Sequence, residues 1–465
     1  MASRYSRDNG VAREKSPRHS SQHNSRDAAL PSHRGDIMNG TRCGHKKHRK
    51  GPRISPEGES GRRGFHPFHF FRITWRSTSW LSRAVNILWP VVPAAIAVYF
   101  ALEGQHTLKF ILLYIGMVPC ANLIGFSGQE LSRKMPHVLG SLLETTAGSV
   151  VEFIVFLLLL FNNQFVLLQG AILGSILANM LLCLGACFIA SGIRRPDATF
   201  DEAISEAGSG LLLTAGIGLA IPAILERSTT GTGVEQSVID HNVLNLSRAV
   251  AILLLIAYIV FVWFQTHTHH GIFTAMFEHD EARDHDREKD LDKDKLTLTE
   301  CIIALVISIG LVTVIAYGLV QEIPILIEEH HLTDPFMGLI LVPLVEKAAE
   351  HLTAVDEAWD NQMNFALSHC VGATLQTSLL ITPLVVLIGW QKEFALDFKI
   401  FDMVMLILAI ITVGNFLRDK KSNYLEGVLC VIVYVAIAVA AFFYPEVHHA
   451  TGTAETAEHL VAKLL

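Results

Sequence analysis

The chain has 465 residues, of which 51% are hydrophobic and only 17% charged, and its mean hydropathy is +0.38. A soluble protein of this length would carry more charge, so the composition excludes that class and favours a chain dissolved mostly in lipid. The net charge of −7 conceals an asymmetry, because residues 1–84 contain 18 Lys and Arg against 6 acids.

The first segment, residues 1–84, is rich in Ser, Arg, His, Gly and Pro and shows no helical periodicity. This composition predicts a disordered, basic cytosolic arm. Its most basic run, GHKKHRK at 44–50, is interpreted as a topology determinant or a lipid-surface contact rather than a nucleic-acid site.

Eleven apolar spans follow, each near or above the ~20 residues that cross a bilayer core. They predict an all-α polytopic membrane protein of about eleven transmembrane helices, at 85–102, 107–126, 137–160, 166–191, 205–224, 247–265, 300–327, 335–355, 365–390, 400–417 and 424–444.

The loops between these spans predict an orientation. Lys and Arg lie in the loops at 132–134, 193–195 and 418–421, whereas the alternate loops at 162–164 and 330–334 have none. Because cytosolic loops carry the excess of positive charge, the N-terminus is predicted to be cytosolic and the C-terminal tail, 445–465, luminal.

The spans divide into a first helix, 85–102, and two groups of five, 107–265 and 300–444. Since five is odd, the second group must run through the membrane in the opposite direction, which predicts an inverted repeat. The connecting segment, 266–299, is predicted to be an acidic cytosolic loop. Its part at 278–295 holds nine acids and five bases, and we expect a solvated helix there, held by i,i+4 pairs.

Two acids lie inside apolar spans in corresponding places. Glu152 occurs in LGSLLETTAGSVVEFIVFLLLL and Glu350, followed by His351, in VPLVEKAAEHLTAV. A charge inside a bilayer is costly, so its default interpretation is an ion or proton pathway. The motifs GSILAN (174–179) and GATLQT (372–377) follow the two acids at comparable spacing.

Hard cations such as Ca²⁺ take carboxylate, hydroxyl and amide oxygens as ligands. Glu152 and Glu350 are the predicted metal ligands, and the predicted cation- and proton-binding set is Glu152, Glu350, Ser149, Ser175, Asn179, Thr374 and Gln376. Glu144, Lys347 and His351 share or flank the helix faces of these acids and are predicted to modulate the site. The same carboxylates could carry protons when the cation leaves, because desolvation favours the neutral acid. A pocket that accepts either a cation or protons describes an exchanger.

Residues 85–444 resemble the calcium/proton exchanger (CAX) family of the cation/calcium exchanger superfamily, in its fungal vacuolar branch. The stretches that carry the resemblance are AAEHLTAV, VGATLQTSLLITPLVVLIGW, GSILANMLLCLGACF and KSNYLEG. The resemblance implies a secondary-active antiporter that moves Ca²⁺ into the vacuole against protons, with eleven helices, an acidic cytosolic loop and no cofactor.

The chain departs from the family pattern at the repeat motifs. Gly-Asn-Ala-x-Glu reads Gly-Ser-Val-Val-Glu at 148–152, and Gly-Asn-Ala-Ala-Glu-His reads Glu-Lys-Ala-Ala-Glu-His at 346–351. A glutamate usual in the seventh span aligns with Tyr317. Lys347 would repel a divalent ion about 5 Å away by roughly 6–7 kcal/mol at an effective dielectric of about 20. Two glutamates and one lysine suit a monovalent ion better, so a Na⁺ or K⁺/proton exchanger is the alternative.

A third hypothesis is a transport-inactive paralogue that acts as a regulatory partner. The expected partners are the transported cation, protons and membrane lipids, with no nucleic acid; the oligomeric state stays open. No enzyme is expected, because the cluster His267, His269 and His270 fits no di-iron histidine box, and no nucleotide motif indicates a pump. Cys183 and Cys187 are one helical turn apart and could bind a soft metal, but no other soft ligand lies nearby in the sequence.

Overall fold

The computed structural model describes residues 60–77, 79–231, 233–284, 287 and 293–444. This part of the chain is almost wholly helical, which confirms the predicted all-α membrane fold. Its two short strands, β1 (Ala198–Thr199) and β2 (Lys421–Ser422), pair in antiparallel fashion. The predicted tail at 445–465 and residues 1–59 of the predicted arm lie outside the described residues.

The N-terminal segment contains α1 (Pro67–Arg76), α2 (Trp80–Val85) and α3 (Val91–Ala101). The prediction of disorder is therefore wrong for most of the stretch 60–84. Helix α1 buries Phe70 and Ile73 in a small core with Leu123 and Phe126. This short amphipathic helix could not be predicted from the composition, because the few apolar residues of α1 are outnumbered by the basic and polar residues of the arm as a whole.

The first half of the membrane body and the segment after it comprise α4 (His106–Ser132), α5 (His137–Phe161), α6 (Phe165–Leu177), α7 (Leu184–Arg194), α8 (Glu202–Thr229), α9 (Gln236–Trp263) and α10 (His270–Arg283). A π-helical turn, Ala178–Cys183, joins α6 to α7, so the two form one long span. A second π-helical turn, Phe264–Thr268, extends α9.

The second half comprises α11 (Leu298–His330), α12 (Asp334–Phe336), α13 (Val342–Glu346), α14 (Ala348–Trp359), α15 (Met363–Gln376), α16 (Thr382–Ile388), α17 (Ile400–Leu417) and α18 (Tyr424–Phe442). The π-helical turn Met337–Leu341 joins α12 to α13, and Thr377–Ile381 joins α15 to α16. A 3₁₀ turn, Gly389–Lys392, follows α16.

Among the described residues, nine helical spans are long and apolar enough to cross a membrane. They are Trp80–Ala101, His106–Ser132, His137–Phe161, Phe165–Arg194, Glu202–Thr229, Gln236–Thr268, Leu298–His330, Met363–Lys392 and Tyr424–Phe442. The two remaining predicted spans correspond to α17, which is shorter, and to α12–α14, which is interrupted at Lys347.

The two halves repeat one distinctive feature. The third helix of each half contains a π-helical turn at its glycine motif, Ala178–Cys183 in one and Thr377–Ile381 in the other. Such turns are frequent at functional sites. The third helix of each half also packs against the second helix of the other, α6 against the turn Met337–Leu341 and α15 against α5. A Cβ on Gly174 would overlap the Leu339 carbonyl oxygen, so this close crossing requires glycine.

Helix α10 shows how the acidic segment begins. Phe273, Met276 and Phe277 are buried against the membrane body, and the ring centroids of Phe277 and Phe365 are 4.6 Å apart. Within the predicted range 278–295, the part that belongs to α10 is mostly exposed and only Asp280 is buried. The helix is nevertheless docked, through an apolar face that precedes the charged run and that the sequence did not indicate.

Asp280 fixes the docked end of α10. Its carboxylate accepts hydrogen bonds from the backbone N–H groups of Asn364 (2.6 Å) and Phe365 (3.2 Å), and from the Asn364 side-chain amide (2.8 Å). It thereby caps the N-terminus of α15, a helix that otherwise has no side-chain cap. Burial raises the pKa of the Asp280 carboxyl, although the hydrogen bonds from Asn364 and Phe365 oppose this shift.

Candidate cation and proton site

A lysine lies between the two acids that the sequence singled out. Lys347 Nζ is 2.7 Å from Glu152 Oε2 and 3.0 Å from Glu350 Oε2. Glu152 and Lys347 are completely buried, and the Glu350 side chain is 10% exposed. Glu152 comes from the first half of the chain and the other two residues from the second, so the structure joins the halves at this point.

The break between α13 and α14 positions this lysine. Helix α13 ends at Glu346, Lys347 has φ −94° and ψ −4°, and α14 begins at the next residue. Interrupted helices of this kind form ion sites in many transporters. Gly148 on α5 allows the approach, because a Cβ there would lie 2.5 Å from Glu350 Oε1.

Glu346 is a third acid at this position, and the sequence reasoning missed it. It is buried, and its Oε1 accepts a hydrogen bond from the Ser175 hydroxyl. It interacts electrostatically with Glu152 and Lys347. Glu346 could have been found in the same way as Glu350, because it is also an acid inside an apolar span. It stands where the family motif has glycine, so it was interpreted only as a departure from that motif.

Polar side chains of α5 and of the span α15–α16 surround Glu152. The Thr377 hydroxyl, which was not predicted, donates to both carboxylate oxygens of Glu152, at 2.8 and 2.9 Å. The Ser149 hydroxyl donates to Gln376 Oε1 (3.1 Å), and the Gln376 amide donates to the Thr145 hydroxyl (2.8 Å). The two predicted residues, Ser149 and Gln376, are thus brought together beside the acids.

The other predicted residues occupy different positions. His351 Nε2 lies 3.2 Å from Asn179 Oδ1, which links α14 to the π-helical turn of the first half. The Thr374 hydroxyl donates a hydrogen bond to the backbone carbonyl of Cys370 in its own helix (2.7 Å), so its proton is already engaged there. Tyr317 lies on α11 with 47% of its surface exposed, among the outward-facing residues.

Several buried polar atoms of this cluster have no hydrogen-bond partner among the described residues. They include Glu346 Oε2, Glu350 Oε1 and Asn179 Nδ2. Unsatisfied carboxylate oxygens in a buried site are costly unless a cation, a proton or a water molecule is bound to them. The free carboxylate oxygens of Glu346 and Glu350 therefore suit a hard cation, which takes oxygen atoms as ligands.

A second cluster lies two helical turns before Glu152 along α5. His369 Nδ1 is 2.7 Å from Glu357 Oε2, and His369 Nε2 is 3.6 Å from Glu144 Oε1. Glu144 also accepts a hydrogen bond from the Ser132 hydroxyl (3.0 Å). Each ring nitrogen of one buried histidine therefore faces a different carboxylate. Glu144 was predicted to modulate the site, whereas Glu357 and His369 were not predicted at all.

The fold and this site together define a class of protein. A polytopic helical body in which buried acids of two five-helix halves meet at an interrupted helix is characteristic of secondary-active ion transporters.

Comparison with known families narrows the class. The chain belongs to the sodium/calcium exchanger protein family, whose model matches residues 106–267 and 301–443. The first range spans α4 to α9 and the second most of α11 to α18, and the unmatched segment between them contains α10. This match confirms the resemblance predicted from the sequence, and proteins of this family transport ions without a cofactor.

Curated relatives cover most of the chain. A vacuolar calcium ion transporter of Schizosaccharomyces pombe is 30% identical over 79% of this chain and 86% of its own length. Vacuolar cation/proton exchanger 2 of Arabidopsis thaliana is 31% identical, over 79% of this chain and 82% of its own length. These relatives are transporters rather than enzymes.

Solved structures share the fold. Native YfkE superposes with a TM-score of 0.62 at 23% identity and covers 76% of this chain and 99% of its own. The H⁺/Ca²⁺ exchanger CAX gives a TM-score of 0.56 at 10% identity, over 82% of this chain and 91% of its own. At these identities the likeness concerns the arrangement of helices.

Proposed function

We propose that this protein is a cation/proton antiporter of the vacuolar membrane that moves Ca²⁺ into the vacuole in exchange for protons. The observation that carries the proposal is the position of Lys347 Nζ between Glu152 and Glu350, one acid from each half. Acids that hold an ammonium group in the membrane core form a cation site. Lys347 is thus an internal cation. An incoming ion must either displace its ammonium group or bind beside it.

The third acid decides which ions the site tolerates. At an effective dielectric of about 20, Lys347 repels a divalent ion about 5 Å away by roughly 6–7 kcal/mol. A carboxylate at the same distance attracts that ion equally, so Glu346 offsets the lysine. Counting Glu152 and Glu350 alone leaves one negative charge beside Lys347, whereas counting Glu346 leaves two. The site therefore supports Ca²⁺ better than the sequence indicated.

Charge balance gives a stoichiometry. When all three carboxylates are ionised, they balance Lys347 and one Ca²⁺. When Ca²⁺ leaves, two of the carboxylates take up protons and the third remains paired with Lys347. The net charge of the pocket is zero in both states. A buried site must be close to neutral, because an uncompensated charge in the membrane core is costly. Two protons therefore exchange for one Ca²⁺, and a monovalent ion would exchange for one proton.

The second cluster provides a path for the protons. His369 can accept a proton at one ring nitrogen while it releases another from the opposite nitrogen, and its two nitrogens face Glu144 and Glu357. Glu144 lies on the same face of α5 as Gly148 and Glu152, at steps of four residues. A proton that leaves the central acids thus reaches the side of the membrane where α5 begins.

The orientation belongs to the same proposal. The basic loops at 132–134, 193–195 and 418–421 are cytosolic by the positive-inside rule. The N-terminus is then cytosolic and the C-terminus luminal, and the cluster of Glu144, Glu357 and His369 lies toward the cytosol.

Uptake by proteoliposomes tests the proposal. The purified protein is reconstituted with an acidic interior, and radioactive Ca²⁺, Na⁺ and K⁺ are supplied outside in separate assays. We expect Ca²⁺ uptake that stops when a protonophore dissipates the gradient, with two protons released per Ca²⁺. Glu152→Gln and Glu350→Gln should abolish it. Glu329→Gln makes the same chemical change at an exposed position and should leave uptake intact.

Two results would contradict the assignment in different ways. Proton-driven uptake of Na⁺ or K⁺ without Ca²⁺ would establish the monovalent alternative, which the positive charge of Lys347 favours. Correctly folded protein that transports none of the three ions would indicate a transport-inactive regulatory paralogue.

A further inference from the structure

Three cysteines from the two halves of the chain meet inside the membrane body. Cys370 Sγ on α15 lies 3.4 Å from Cys183 Sγ and 3.8 Å from Cys187 Sγ. All three sulfur atoms lie within 4.8 Å of one another. Cys183 ends the π-helical turn after α6 and Cys187 lies one turn further, so the fold supplies the third soft ligand that the local sequence lacked.

The surroundings restrict what could bind there. The three side chains are buried and belong to the main apolar core, and no disulfide joins them. A hydrated ion would lose its water shell on the way to such a site, which is costly. A ligand must therefore arrive uncharged, and the complex it forms must also be close to neutral.

We propose that Cys183, Cys187 and Cys370 bind a trivalent thiophilic element, arsenic or antimony in its +3 state. Thiols that coordinate a metal-like centre are deprotonated outright. Three thiolates around a monovalent ion leave a charge of −2 and around a divalent ion −1, whereas around a trivalent centre the charge is zero. Only the trivalent complex places no net charge in the apolar core.

The reaction with arsenous acid balances without any oxidant. As(OH)₃ and three thiols give As(SR)₃ and three water molecules: three As–O bonds break, three As–S bonds form, and each hydroxide leaves with a thiol proton. Arsenic stays in the +3 state throughout. Arsenous acid is uncharged at neutral pH, so it can enter the apolar core as such.

Binding would fasten together two helices that carry residues of the candidate cation site. Asn179 lies in the same π-helical turn as Cys183, and Gln376 lies on α15 with Cys370. A covalent bridge between these helices fixes the first half against the second, and alternating access requires that repeats move against each other. We therefore expect a bound trivalent centre to stop ion exchange.

Arsenous acid itself is the probe. Purified full-length protein in detergent is incubated with it, desalted and analysed for arsenic by mass spectrometry, and the bound form is examined by X-ray absorption. We expect one arsenic per chain with three sulfur neighbours and no oxygen neighbour. Cys183→Ala, Cys187→Ala and Cys370→Ala should each lose this arsenic. Cys301→Ala removes a buried cysteine from a separate core and should retain it.

The outcomes separate the proposal from its alternatives. Equal retention by wild type and all three variants, or an arsenic atom that keeps its oxygen neighbours, would overturn it. Cd²⁺ bound more tightly than arsenic would overturn the charge argument. The binding measurement needs no transport activity, so it stands even if the proposed exchange fails. Where exchange is measurable, arsenous acid should inhibit wild type and Cys301→Ala but not Cys370→Ala.

Discussion

Lys347 and Glu152 form a 2.7 Å ion pair between the two halves of the chain, and neither side chain is exposed to any extent. Breaking such a buried pair from one side usually costs about 3–5 kcal/mol, because the remaining charge is left without a partner. The pair thus connects the halves in the same place where exchange would occur.

Replacing the lysine should make the protein depend on a bound ion. In Lys347→Gln, three acids remain without their cation, so we expect a lower unfolding temperature in Ca²⁺-free buffer. Added Ca²⁺ should raise that temperature more than in wild type, because the ion no longer competes with an ammonium group. Thermal unfolding in detergent, with and without Ca²⁺, measures both effects. Lys421→Gln, at an exposed position, is the control; equal behaviour of the two variants would refute the role of Lys347.

Glu346→Gln should weaken Ca²⁺ binding more than monovalent binding. The glutamine can still accept the hydrogen bond from Ser175, so the change removes mainly the third negative charge. The uncompensated repulsion by Lys347 is roughly 6–7 kcal/mol for a divalent ion and about half that for a monovalent one. We expect the KM for Ca²⁺ to rise by at least about tenfold, which corresponds to about 1.4 kcal/mol. An unchanged KM would mean that Glu346 is structural.

The sequence was sufficient for the pattern of spans and for singling out Glu152 and Glu350 as acids within them, because a long apolar run and an acid inside it are both local signals. That these acids bind ions stays a prediction. Lys347 was recognised as well, but its bond to Glu152 depends on how helices from separate halves cross. That crossing is set by Gly148, Gly174 and the interruption after Glu346, and no periodicity reveals it.

The features that were not predicted were missed for two physical reasons. His369 lies in a small, mildly polar stretch, ALSHCVGATL, where a packing histidine would look the same. Its partner Glu144 comes from the other half of the chain, so only the folded arrangement gives His369 a role. The docked helix α10 was missed because the charges that follow it dominate the composition of the loop.

The histidine relay predicts a selective defect. His369→Gln keeps a side chain of similar length that cannot hold a positive charge, so proton-driven Ca²⁺ uptake should fall sharply. Exchange of internal for external Ca²⁺ at equal pH moves no net protons and should persist. Comparing the two assays in one proteoliposome preparation separates a proton path from a folding defect, which would reduce both. His330→Gln, at an exposed position on α11, is the matched control. Loss of both activities would assign His369 a structural role.

Docking of α10 should depend on pH through Asp280. Burial raises the pKa of its carboxyl, so the docked state binds a proton more tightly than the undocked state does. Docking is therefore most stable below the ordinary pKa of an aspartate carboxyl. Its stability falls as the pH rises from that pKa through the raised pKa of the docked state. Hydrogen–deuterium exchange of α10 should accordingly be slower close to the ordinary carboxyl pKa, at about pH 4, than at about pH 7.5, after correction for the intrinsic rate. Asp280→Asn should lose this dependence, and Asp280→Ala should destabilise docking by about 1 kcal/mol because the N-terminus of α15 loses its cap. Glu278→Ala, an exposed acid on the same helix, should behave as wild type, and a pH response that survives in Asp280→Asn would mean that another group is responsible.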